Sequence, residues 1–191
     1  MKIYQGKISE FSVEEYNKAF DLLSEERKNA VSRMRFENDR KRSVLGEYLA
    51  RKGISAQVGI PEKDIKILRT ENGKPFCDNS DMHFSIAHSG DNVVCAVDDS
   101  PVGIDVEVIR PLDLRITKFA CTERDLDFIN TASTQTEKEL LFFKLWTAKE
   151  AFIKFHGRVL ADLKTIDFEN IQENCEFFEE NGYIISVYSE K

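Results

Sequence analysis

Strand-forming and helix-forming stretches come in clusters along this chain, and that ordering constrains its fold more than any other feature. Three β-type segments follow one another, at residues 83–87, 93–97 and 102–108, separated by the polar turns His88-Ser89-Gly90-Asp91-Asn92 and Ser100-Pro101. Two long helical patterns come next, at residues 113–130 and 137–155, and then β-like segments at 165–168, 175–178 and 183–188. Upstream, apolar alternation around Ile3, Tyr4 and Ile8 predicts an edge strand, and Ser12 is placed to cap a helix. Residues 24–51 read as one helix with Val31, Met34, Val44, Leu45, Tyr48 and Leu49 inward. After Pro61 a strand is expected at 65–68, and Glu71-Asn72-Gly73-Lys74-Pro75 is turn chemistry, because Asn-Gly favours positive φ. Strict βαβ alternation is absent, so the pattern predicts an α+β fold.

With 191 residues, 41% of them hydrophobic, the chain has enough apolar mass for one large domain or two small ones sharing an interface. A net charge of −7 argues against general affinity for nucleic acid or anionic membrane, which needs a basic surface. A phosphate-bearing ligand must then be met by a local cluster of Lys, Arg and His. Residues 27–42 reverse the overall charge locally, with Arg27, Lys28, Arg33, Arg35, Arg40, Lys41 and Arg42, although most such residues simply form a solvated helix face. The opening MKIYQGKISE lacks the apolar core of a signal peptide, and no run approaches the ~20 apolar residues of a membrane span, so a cytoplasmic location is expected. Cys77, Cys95, Cys121 and Cys175 form no Cys-x-x-Cys pair and read as reduced structural thiols.

In Gly103-Ile104-Asp105-Val106-Glu107, strand alternation puts Asp105 and Glu107 on one face and Ile104 and Val106 on the other. Two neighbouring carboxylates repel unless a proton or a cation joins them, and a hard ion such as Mg²⁺ resolves the conflict. By itself the pair fits a solvated strand face better than a metal site. The segment Phe142-Phe143-Lys144-Leu145-Trp146-Thr147-Ala148-Lys149-Glu150-Ala151-Phe152-Ile153-Lys154 shifts the balance. Glu150 and Lys154 share a helix face, and an exposed pair of this kind is worth only ~0.3–0.5 kcal/mol. This helix, however, is apolar around much of its circumference, and a charged pair on a buried helix needs partners.

These residues carry a resemblance. Gly103-Ile104-Asp105-Val106-Glu107, followed by Trp146-Thr147-Ala148-Lys149-Glu150-Ala151-Phe152-Ile153-Lys154, resembles the signature pair of the 4′-phosphopantetheinyl transferases. The upstream segments Arg42-Ser43-Val44-Leu45-Gly46, Gly73-Lys74-Pro75 and Phe84-Ser85-Ile86-Ala87-His88-Ser89-Gly90 are similar to motifs of the longer, surfactin-synthetase-activator type, in the same order. Ala87 stands where that family often has Ser.

The resemblance implies an enzyme that transfers the phosphopantetheine arm of coenzyme A to a serine of an apo acyl or peptidyl carrier protein and releases 3′,5′-ADP. Asp105, Glu107 and Glu150 would bind Mg²⁺ together with the coenzyme A pyrophosphate. Glu150 would also be the base for the serine hydroxyl, and Lys154 would neutralise charge on the pyrophosphate. His88 and Arg42 would contact the 3′-phosphate, with Lys74 and Ser89 lining the adenine and phosphate region; which of Arg27, Lys28, Arg33 and Arg35 joins them stays open. The neighbourhood of Thr117, Lys118 and Phe119 is the expected carrier-docking surface. The implied fold is a monomeric pseudo-dimer of two similar α+β halves, 1–107 and 108–191, with the active site between them and Arg110-Pro111 as the hinge. Two rival readings use the same residues: a non-catalytic module that binds coenzyme A or a carrier protein, and a metal-dependent pyrophosphatase with water as nucleophile.

Overall fold

Ser12 starts the first helix, α1 (Val13–Asp21), as expected. Its hydroxyl accepts the Glu15 N–H at 3.2 Å while the Glu15 carboxylate accepts the Ser12 N–H at 2.9 Å, a reciprocal cap. In this computed structural model, which describes residues 1–190, α2 (Glu25–Ser32) and α3 (Glu37–Val58) follow. The single helix expected over 24–51 is therefore two. Val31 and Val44 are both fully buried in one core, yet on a continuous helix they would point ~140° apart. An extended Phe36 (φ −100°, ψ 137°) breaks the helix and lets both reach that core, and Arg40 Nη1 donates to the Met34 carbonyl at 2.7 Å beside the break.

The strands of this part of the chain are β1 (Lys2–Lys7), β2 (Ile67–Arg69), β3 (Pro75–Cys77), β4 (His83–Ser89) and β5 (Asn92–Asp98). β1, β5 and β4 form an antiparallel sheet in that order, covered by α3, while β2 and β3 make a separate ribbon whose turn holds Gly73 at φ 81°.

The remainder opens with β6 (Gly103–Val108) and continues through α4 (Leu114–Ala120), α5 (Glu123–Asn130) and α6 (Gln135–His156) to β7 (Cys175–Glu180) and β8 (Tyr183–Tyr188). The helix expected over 113–130 is split at Thr122, which caps α5 reciprocally with Asp125. The strand expected at 165–168 is absent. Those residues lie in and between the 3-10 turns Leu160–Thr165 and Phe168–Asn170, which bury Leu163, Ile166 and Phe168 under α6 rather than pairing with a neighbour.

Two compact units result, the first Met1–Pro101 and the second beginning at Val102. β6 pairs along its length with β8, Asp105 opposite Ser186 and Glu107 opposite Ile184, so it belongs to the second unit and not to a first half ending at 107. The division falls at Pro101, ahead of the strand, and not at the Arg110-Pro111 hinge. Both units follow one plan: a strand, three helices, then a hairpin whose second strand is central in a three-stranded antiparallel sheet, ordered β1-β5-β4 and β6-β8-β7. Each long helix has 22 residues and stops at a left-handed glycine, Gly59 or Gly157. Among the described residues no helix is long and apolar enough to cross a membrane.

Candidate active site

In the second unit, a close approach of helix to strand builds the charged cluster. A Cβ on Gly103 would lie 1.9 Å from the Ala151 carbonyl oxygen and 2.8 Å from the Phe155 nitrogen, so only glycine lets α6 rest on β6 at this depth. From α6, Lys154 Nζ reaches Asp105 Oδ1 at 2.7 Å. Asp105 is 4% exposed, and its Oδ2 is buried with no hydrogen-bond partner. The alternation that separated Asp105 and Glu107 from Ile104 and Val106 holds, but the carboxylate face is covered too, because α6 lies over it. Glu107 Oε2 accepts from Arg110 Nη1 at 3.1 Å.

The electrostatics of the cluster follow from burial and crowding. Burial raises the Asp105 carboxyl to about 6; the Lys154 ammonium pulls it down and Glu107 pushes it up. Glu150 is raised to about 8, by burial first and then by the Asp105 charge, with Lys154 opposing. The Trp146 indole, one turn before Glu150 on α6, also favours its charged form, although Nε1 makes no hydrogen bond of ordinary geometry. Among the described residues, no three acidic, His or Cys side chains form a ready chelate, since cations hold Asp105 Oδ1 and Glu107 Oε2. The donor set nevertheless fits a hard divalent cation. It offers three mutually repelling carboxylates, two of them forced towards protonation, and one buried carboxylate oxygen that nothing satisfies.

The sign of the pH effect is set by those two raised values. The folded state holds both protons more tightly than the unfolded chain does, so this stabilisation is complete below about pH 4 and is lost as pH rises through about 6 for Asp105 and about 8 for Glu150. Metal-stripped protein should therefore melt at falling temperature between about pH 5 and pH 8, and millimolar Mg²⁺ should raise the melting temperature more at pH 8 than at pH 5. Scanning calorimetry with and without EDTA reads both; a pH 8 transition that Mg²⁺ leaves in place would count against the metal site.

In the first unit, the structure joins Arg42 to the His88-Ser89-Gly90 turn. Arg42 Nε donates to the Gly90 carbonyl at 2.8 Å and its Nη1 to Asp39 at 2.9 Å, which ties α3 to the β4–β5 hairpin. At the end of β4, His88 is exposed and Ser89 is half-buried. Lys74 lies in the β2–β3 turn, where its N–H donates to Thr70 Oγ1 at 3.1 Å and burial lowers its ammonium below the ordinary value. Of the basic segment, Arg27 pairs with Ser43 and Glu47, Lys28 with Glu25, and Lys41 with Glu37, while Arg33 and Arg35 are exposed.

Sequence reasoning missed Lys149 and Asp125. Lys149 is fully buried and Asp125 is 1% exposed; they form a tight ion pair between α6 and α5. The signal was present: Lys149 falls seven residues after Phe142 and four after Leu145, on the apolar stripe of α6, where a lysine must find a partner.

Two family models match end to end. One, described as 4′-phosphopantetheinyl transferase, N-terminal, covers residues 10–100, and the other, the 4′-phosphopantetheinyl transferase superfamily, covers residues 101–187. The chain is 43% identical over 140 residues to the 4′-phosphopantetheinyl transferase psf-1 of Bacillus pumilus, a match covering 72% of this chain and 59% of that protein. It is 38% identical over 165 residues to the 4′-phosphopantetheinyl transferase Sfp of Bacillus subtilis, covering 84% and 72% respectively. To the 4′-phosphopantetheinyl transferase gsp of Aneurinibacillus migulanus it is 39% identical over 136 residues, covering 71% and 56%. The chain thus spans between 56% and 72% of the lengths of these three relatives.

Proposed function

This chain belongs to the 4′-phosphopantetheinyl transferase superfamily, and we propose that it transfers the 4′-phosphopantetheine arm of coenzyme A to a serine of an apo acyl or peptidyl carrier protein, with release of 3′,5′-ADP. The observation that carries this reading is the cluster in the second unit, where Lys154 holds Asp105 while the Asp105 Oδ2 oxygen is buried without a partner and Glu150 and Glu107 crowd the same charge.

In this reading the serine Oγ forms a bond to the β-phosphorus of coenzyme A as the bond from that phosphorus to the bridging oxygen breaks, and the electron pair leaves with 3′,5′-ADP. Glu150 accepts the serine proton, directly or through one water. Lys154 neutralises charge on the pyrophosphate as it departs. Asp105, Glu107 and Glu150 would hold Mg²⁺, which supplies further charge neutralisation on the phosphates when bound. Arg42 and His88 would contact the 3′-phosphate, with Lys74 and Ser89 lining the adenine and phosphate region. The Arg42 contact with the His88-Ser89-Gly90 turn supports the first pair. For the carrier, Thr117, Lys118 and Phe119 on α4 are proposed; Phe119 is 50% exposed, an apolar contact beside a lysine.

Incubation with coenzyme A and Mg²⁺, with and without apo carrier protein, tests the reading. The expected result is 3′,5′-ADP only when the carrier is present, together with the mass increase of the carrier by one phosphopantetheine arm. Release without a carrier would make the protein a pyrophosphatase, and no release at all would leave a binding module.

A further inference from the structure

The buried ion pair outside the charged cluster has no part in the chemistry just described, yet it is among the most densely bonded groups of the second unit. Lys149 Nζ donates to Asp125, to the Ala120 carbonyl at 2.9 Å and to the Leu163 carbonyl at 3.2 Å, so each of its three N–H groups has an acceptor. Asp125 in turn accepts from the Thr122 N–H at 2.7 Å through Oδ2 and from the Phe168 N–H at 3.0 Å through Oδ1. One point on α6 is thereby tied to the end of α4, the start of α5 and the 3-10 turns Leu160–Thr165 and Phe168–Asn170.

A buried ion pair rarely stabilises a fold more than well-packed apolar side chains of the same volume would. What it adds is direction, since three fixed acceptors demand one orientation of the ammonium, and apolar packing makes no such demand. Lys149 immediately precedes Glu150 and lies five residues before Lys154, so fixing its direction fixes theirs, about 100° and 140° further round the helix. On the sheet side a second buried contact, Thr147 Oγ1 to Ser186 Oγ at 2.6 Å, anchors α6 to β8.

We propose that Lys149 and Asp125 are positioning residues: together they set the rotation of α6 that presents Glu150 and Lys154 to Asp105. The catalytic consequence rests on the transferase reading; the orienting role does not. Lys149→Met fills the same volume without the directional bonds, and Asp125→Asn keeps shape while removing the charge. In Lys149→Met that retains its helical circular dichroism, kcat for transfer should fall about 100-fold while KM for coenzyme A stays within about threefold, because an ångström of misplacement acts on the reacting groups rather than on overall binding. Lys149→Arg, which keeps the charge and the donors, should recover a large part of the loss.

The second readout does not depend on turnover. Trp146 is the protein's one tryptophan, on the adjoining turn of α6, so its indole N–H gives a single amide-type NMR signal. That signal should shift in Lys149→Met and return towards its original place in Lys149→Arg. If Lys149→Met fails to fold, Asp125→Asn is read by the same two measurements. A folded variant with unchanged kcat, or with the Trp146 signal unmoved, would overturn the proposal. Wild-type protein that transfers nothing would instead remove the transferase reading, and the Trp146 signal alone would then decide the orienting role.

Discussion

Glu150→Gln should reduce transfer by about a thousandfold or more while leaving the protein folded, and at pH 8 without metal slightly more stable than the wild type. Removal of a general base costs about 10²–10⁴ in rate, and here a proposed metal ligand is lost in the same step. Stability moves the other way because the Glu150 charge is a liability in the fold: burial and the Asp105 carboxylate both oppose it, and a neutral amide resembles the protonated acid. The pH-dependent fall in melting temperature should flatten accordingly. Asp105→Asn is the useful contrast, since its raised carboxyl also gains from neutrality but Lys154 loses its partner, so it should lose activity with a smaller stability gain at pH 8 than Glu150→Gln. Steady-state transfer assays with calorimetry across about pH 5–8 separate the two. Near-normal activity of Glu150→Gln at ordinary Mg²⁺ would remove Glu150 from the chemistry.

The charged cluster was largely legible in the sequence because it is written in two short periods. Alternation placed Asp105 and Glu107 together, and helical spacing placed Glu150 with Lys154 on a helix too apolar to lie in solvent. What neither period reveals is depth. Asp105 is 4% exposed because Gly103 lets α6 descend onto β6, a consequence of an absent side chain that only the packed structure exposes. Boundaries failed for a related reason. Residues 24–51 carry continuous helical composition, and the break at Phe36 is imposed by where Val31 and Val44 must go, not by a capping residue, for Phe36 makes no side-chain cap.

The repeated plan of the two units was not visible in the residues, yet the structure shows it in one detail of chemistry. Arg51 and Lys149 each lie eight residues before the glycine that ends their long helix, and each is buried and bonded to carbonyls of the segment that follows, Glu62 and Ile65 for one and Leu163 for the other. A cation in this place closes the helix onto its own exit chain in both units. The partners differ: Arg51 finds Glu47 one turn earlier on the same helix, whereas Lys149 finds Asp125 on α5. Both arrangements tie one helix to another, since Glu47 also pairs with Arg27 on α2, but only the second lies on the helix that carries Glu150 and Lys154.

Gly103→Ala should be the most damaging single-methyl addition in the protein. The new Cβ would meet the Ala151 carbonyl oxygen at 1.9 Å, and this obstacle is backbone inside a helix, which cannot turn aside as a side chain can. Gly46 and Gly53 supply the comparison in α3. Their added Cβ atoms would meet Ile86 Cγ2 at 2.7 Å, and Val97 Cγ2 and Tyr4 Cε2 at 2.6 and 2.7 Å, all of them side-chain atoms with some freedom to yield. Overpacking of the yielding kind costs about 1–3 kcal/mol, so Gly46→Ala and Gly53→Ala belong in that range. Gly103→Ala should exceed about 3 kcal/mol, a large part of the ~5–15 kcal/mol that holds a domain together. Relief is available only by lifting α6 from β6, which separates Lys154 Nζ from Asp105 Oδ1, so activity should fall even in the fraction that stays folded. Urea denaturation of the three variants, with transfer measured on the folded protein, gives the ranking directly. If Gly103→Ala loses no more stability than Gly53→Ala, the depth of α6 on β6 is not what that glycine secures.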